Sequence, residues 1–172
     1  MNRTLLSLLR AAALSLALLA PTARAQSIAA RPIGPCRALR VVDGDGADLR
    51  CGVELLRVRL RNVAAPRPGQ VGYTEAVRGL AELLRARDLY VVSDVPGELP
   101  LDPNGRALAY LCDRSGANLN IAFVLLGWAT YSTDAGAGRF EQSFRAAEQS
   151  ARAERRALWT VWSVSAGAQP GR

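Results

Sequence analysis

From Leu56 to Arg61 the chain alternates apolar and basic residues without a break: Leu56, Val58 and Leu60 against Arg57, Arg59 and Arg61. A period of two sorts the two kinds onto opposite sides of a β-strand and scatters them around a helix. A strand is therefore predicted over Glu54–Val63, with the three arginines together on a solvated basic face. Just upstream, the apolar runs Arg37–Val42 and Ala47–Cys51 flank Asp43-Gly44-Asp45-Gly46, a dense turn signal that predicts a hairpin.

Pro66 and Pro68-Gly69 then open a loop. Thr74 is placed to cap a helix running to about Arg87, with Ala76, Leu80, Leu83 and Leu84 on one face. A fourth strand is predicted at Leu89–Val92, a turn-rich segment at Pro96–Gly105 and a fifth strand at Arg106–Cys112. Asn118 is placed to cap a second helix ending near Gly127. A third is predicted over Arg139–Leu158, with Phe140, Phe144, Ala147 and Ala151 on its core side. Five strands with a helix after the third and two more after the fifth fit the α+β class: a five-stranded OB-type Greek-key β-barrel with about three helices.

Residues 1–25 read as a secretory signal peptide. Arg3 supplies the positive start, Ala11–Ala20 is apolar, and Ala23-Arg24-Ala25 has the small-x-small form of a cleavage site. The expected order is then a linker over 26–36, the domain over 37–159 and a loosely held tail over 160–172. This predicts a secreted or periplasmic protein with no membrane association after cleavage. All 22 basic residues are arginine, and losing Arg3, Arg10 and Arg24 lowers the formal net charge from +7 to +4. The absence of histidine excludes the usual general base, Ser-His-Asp hydrolysis and most zinc sites. Cys36 and Cys51 flank the hairpin and are candidates for a disulfide across it, which leaves Cys112 as a buried thiol in the fifth strand.

Five motifs in order carry a resemblance. Val42-Asp43-Gly44-Asp45 resembles the turn that ends the first strand of the staphylococcal nuclease (thermonuclease) family. Val58-Arg59-Leu60-Arg61-Asn62-Val63-Ala64-Ala65-Pro66 is similar to that family's Val-Arg-Leu-x-x-(Ile/Val)-Asp-(Ala/Thr)-Pro-Glu segment. Asp102 to Tyr110 resembles its Asp-x-(Tyr/Phe)-Gly-Arg-x-Leu-Ala-Tyr. Asn120 with Gly127-Trp128-Ala129, and Ala147-Glu148, Ala151-Arg152 and Ala157-Leu158-Trp159, are similar to its closing motifs. The resemblance runs from about Arg37 to Trp159.

The family hydrolyses DNA and RNA phosphodiesters with one calcium ion, two arginines on the phosphate and a glutamate assisting the attacking water. Carried over residue by residue, it implies Arg59 and Arg106 as the catalytic, phosphate-binding arginines, and a planar guanidinium fork suits that role. It implies Asp45 as the surviving metal carboxylate. The second metal aspartate falls on Ala64 and the glutamate on Arg67, so no cofactor is expected unless those carboxylates are restored, when calcium is. Asp45 against Arg59, Arg67 and Arg106 predicts a basic pocket, with Arg67 as a third phosphate contact. The implied function is binding of nucleic acid or another phosphate-bearing ligand, with hydrolysis impaired or lost. Two alternatives stand beside it. One is an active calcium-dependent endonuclease in which Glu75 or Asp102 has taken over; Asp43 and Asp48 share the turn with Asp45 and do not replace a ligand from the opposite strand. The other is a periplasmic protein-interaction scaffold, favoured where Pro103-Asn104 and Thr130-Tyr131 replace the family's basic and aromatic nucleotide contacts.

Overall fold

The Asp43–Gly46 turn folds β1 (Ile33–Asp43) back onto β2 (Gly46–Cys51), antiparallel, with Arg40 opposite Asp48 and Cys36 opposite Cys51. The computed structural model describes residues 32–162. Cys36 and Cys51 form a disulfide that ties the open end of this hairpin. β3 (Glu54–Leu60) pairs antiparallel with β2 and parallel with β6 (Ala107–Cys112), and β5 (Leu89–Val92) pairs with both β6 and β1. The barrel closes in the order β1-β2-β3-β6-β5, the five-stranded arrangement predicted. Alternate residues, Leu49, Val58, Leu60, Leu89, Val91 and Leu111, fill its interior.

Among the described residues four helices pack on the barrel where about three were expected. α1 (Tyr73–Leu84) buries Ala76, Leu80, Leu83 and Leu84 as predicted, but Gly72 rather than Thr74 is its N-cap and it ends three residues before Arg87. α2 (Leu119–Leu125) is capped as predicted, with the Asn118 side chain accepting from the backbone N–H groups of Asn120 and Ile121. The predicted third helix is two: α3 (Glu141–Ala153) and α4 (Leu158–Trp162). Between them Arg155 and Ala157 take positive φ, which no continuing right-handed helix allows. Phe144, Ala147 and Ala151 are buried, and Phe140 lies edge-on to Tyr110 at 4.9 Å.

Three boundaries are corrected. β1 begins at Ile33, inside the expected 26–36 linker, because Ile33 pairs with Val91 and Cys36 with Leu89. The expected 160–172 tail starts in α4, whose Trp159 and Trp162 are buried with their rings edge-to-face at 5.1 Å. The predicted strand Glu54–Val63 stops at Leu60, since Asn62 is left-handed (φ 61°), and resumes as β4 (Val63–Ala64) paired with β7 (Thr130–Tyr131). The signal peptide and the rest of the tail lie outside the described residues. Among these, no helix is long and apolar enough to cross a membrane.

The kink at Asn62 also breaks up the expected basic face. Arg57 is exposed, Arg59 half-buried, and Arg61 only 8% exposed. Arg61 pairs with Asp94 at 3.1 Å and donates to the Ala135 carbonyl at 2.7 Å, while Asn62 donates to the carbonyls of Ser132 and Gly136. Arg61 is thus a structural cation holding the segment after β7 against the barrel. Cys112 is half-buried rather than fully so, and burial pushes its thiol up.

Candidate functional site

Two glycines let the β1–β2 turn close onto its neighbours. A Cβ on Gly46 would sit 2.7 Å from Asp43 Oδ1 and 2.8 Å from Arg106 Nη1, so the bare backbone opens the lane in which those groups pair. A Cβ on Gly44 would sit 2.6 Å from the Ala65 Cβ, so glycine there lets the turn close onto the Ala64–Pro66 segment. The turn, β3, β4 and the loop before β6 enclose a cavity of roughly 310 Å³. Asp45, Arg59 and Arg106 line it together with Ala64, Arg67 and Asp134.

Arg106 is held on two sides. Its Nε donates to Asp102 Oδ2 at 2.8 Å and its Nη1 to Asp43 Oδ2 at 2.9 Å, with Asp45 Oδ1 at 3.8 Å. Asp102 is buried and also accepts from the backbone N–H groups of Asn104 and Arg106. Burial alone would raise its pKa, but the hydrogen bonds from Arg106 and the guanidinium charge outweigh that and hold the carboxyl below its ordinary value. Arg59 Nε lies 3.5 Å from Asp45 Oδ2. Arg67 is exposed at the mouth, its backbone N–H held by the Gln70 side chain and its guanidinium without an ion pair among the described residues.

Asp45 is pushed up to about 6, first by burial and next by the adjacent Asp43 charge, against the pull of Arg59 and Arg106. The folded value lies above the unfolded one. The stabilisation from the protonated form is therefore complete below about pH 4 and is lost as pH rises through about 6. Asp45→Asn is expected to stabilise the domain by about 2 kcal/mol at pH 8 and by almost nothing at pH 4. Urea unfolding at the two pH values checks this, and equal effects at both would refute it.

All four residues predicted for the site, Asp45, Arg59, Arg67 and Arg106, line this one cavity, as does Ala64. The other carboxylates weighed from sequence fall elsewhere. Glu75 is exposed on α1 beside Arg78 and Trp128, in a separate groove. Asp102 sits behind Arg106, and Asp48 is on the outer face of β2 with Arg40 at 2.7 Å. Asp43 does turn in, onto Arg106. Asp134 was missed, because only the β4–β7 pairing brings its loop to the cavity and no local sequence signal marks it. The expected basic pocket is corrected accordingly: Asp43, Asp45 and Asp134 stand against Arg59, Arg67 and Arg106, a balanced set.

The donor set does not fit calcium, which takes six to eight oxygens with several carboxylates among them. Asp43 and Asp45 face Arg106 and Arg59, which leaves too few free carboxylate oxygens for such a shell. Among the described residues no group of three or more His, Cys, Asp or Glu side chains is placed to hold a metal ion.

The family model for staphylococcal nuclease homologues matches residues 57–161, which spans β3 to α4 and includes Arg59, Arg67 and Arg106. The chain belongs to the staphylococcal nuclease homologue family. The comparison with curated proteins returned no match.

Proposed function

We propose that this chain is an exported member of the family that binds the phosphate backbone of nucleic acid in the arginine-lined cavity and hydrolyses it poorly or not at all. The observation that carries this reading is Arg67, a guanidinium at the cavity mouth with no ion pair among the described residues and with alanine at position 64 beside it. Arg67 and Arg59 offer the forked donors that a phosphodiester takes, and Asp102 fixes the side chain of Arg106 at the cavity floor. A group to draw a proton from water is missing where the family has one: arginine stays protonated, and Asp45 is turned onto Arg59. Oligonucleotide binding at low salt, followed by fluorescence anisotropy, is expected to weaken steeply with added salt and to be lost in Arg59→Ala. Absence of binding at low salt would sink the proposal.

A second reading is favoured by Asp134, among the described residues the one cavity carboxylate outside the net around Arg59 and Arg106. In that reading Asp134 serves as the base of a working hydrolase. DNA digestion with calcium and with chelator decides between them, since cleavage by the wild type that Asp134→Asn abolishes would establish the second.

A further inference from the structure

Arg57 is the strand neighbour of Arg59 that the cavity does not use. Residues 57 and 59 point to the same side of β3, about 7 Å apart along the strand. Cross-strand from Arg57 lies Asp48, the acid that would neutralise it, but Asp48 is taken by Arg40 at 2.7 Å. Arg57 is therefore exposed and without an ion pair among the described residues. Its guanidinium does not stand off in solvent at random. Nη2 lies 3.7 Å from where a Cβ on Gly105 would be, against the turn that carries Asn104 and Arg106 into the cavity.

We infer that Arg57 is a second phosphate contact, which makes the site a track for an extended nucleic-acid strand rather than a socket for one phosphate. This rests on the phosphate-binding reading and extends it: one phosphate sits in the cavity at Arg59 and Arg67, and a phosphate further along the same strand meets Arg57 on the outer face of β3. A single strand fits the geometry, because Arg59 and Arg57 follow one another along β3 and leave the bases free to turn outward. Arg57 binds the strand here and touches no reacting atom.

The test compares labelled oligothymidylates of two and eight nucleotides by fluorescence anisotropy at low salt, using the wild type, Arg57→Ala and Arg114→Ala. Arg114, exposed in the turn after β6, controls for loss of general positive charge. The octamer is expected to bind tighter than the dinucleotide. Arg57→Ala should weaken the octamer on the order of tenfold and lower its salt slope by about 0.7, with the dinucleotide unchanged. Arg114→Ala should leave both ligands at wild-type affinity. An octamer affinity insensitive to Arg57→Ala overturns the track while leaving the cavity reading in place. Equal weakening of both ligands, or weakening by Arg114→Ala as well, overturns it in favour of a general field effect. Failure of the wild type to bind either oligonucleotide removes the track together with the phosphate reading.

Discussion

The double variant Ala64→Asp/Arg67→Glu is expected to cleave DNA in the presence of calcium, where the wild type leaves it intact. Both positions line the cavity, Ala64 half-buried and Arg67 exposed, so neither change disturbs the barrel interior. Together they move the local charge by three units toward negative in a set that is now balanced, which is the change a divalent cation needs. Ala65 is better left alone. It is buried, and its Cβ lies 2.6 Å from where a Cβ on Gly44 would be, so a larger side chain there would push the turn carrying Asp43 and Asp45 out of place. A gain of about a thousandfold in cleavage over the wild type is the scale expected when both a Lewis acid and a base are supplied to a preorganised site. Plasmid digestion with calcium or with chelator reads the activity, and calorimetric titration with calcium reads binding separately. Should the wild type already digest DNA as fast as the variant, the proposal that Ala64 and Arg67 disable the chemistry is wrong.

The barrel was legible because its signals are local. The Asp-Gly-Asp-Gly turn, the alternation through β3 and the Asn118 cap each act within a few residues, and each appears where its chemistry predicts. What the sequence did not reveal depends on contacts between distant segments. Asn62 reads as one more strand residue until its side chain is seen donating to Ser132 and Gly136 and accepting from the Tyr110 hydroxyl, contacts that favour its left-handed backbone. That kink buries Arg61, which periodicity had placed in solvent beside Arg57 and Arg59. The same kink creates the β4–β7 pair and so brings Asp134 to the cavity. The charge of the site was misjudged for this reason. Arginines were countable from motifs, whereas two of the three opposing carboxylates, Asp43 and Asp134, enter through tertiary geometry. Residue type told which cations the site holds, but not how far they are already neutralised.

Asp102→Ala is expected to cost about 3 kcal/mol of stability and to abolish oligonucleotide binding, although Asp102 lines no part of the cavity. The carboxylate is nearly inaccessible, with its side chain 1% exposed, and it accepts from two backbone N–H groups as well as from Arg106 Nε. Truncation leaves those donors buried without their acceptor. The loss stays at the lower end of the range for a broken buried pair because Arg106 keeps Asp43 at 2.9 Å. Binding fails because Asp102 no longer holds Nε against the pull of Asp43 and Asp45, and the guanidinium turns fully onto the acids of the β1–β2 turn. Asp102→Asn separates the two contributions: its amide oxygen still accepts from the backbone, so stability is expected to recover by roughly half while the ion pair stays lost. The pH dependence has a definite sign. A carboxyl held below its ordinary value in the folded state stabilises above the unfolded value near 4, and that contribution disappears as pH falls through the lower folded value. The gap in stability between wild type and Asp102→Ala should therefore be full at pH 7 and shrink below about pH 4, whereas the gap created by Asp45→Asn opens as pH rises through about 6. Two aspartates within reach of one guanidinium thus pull the stability profile in opposite directions. A gap for Asp102→Ala that stays constant from pH 7 to pH 3 would show that the carboxylate's charge contributes nothing and that it acts only as a backbone cap.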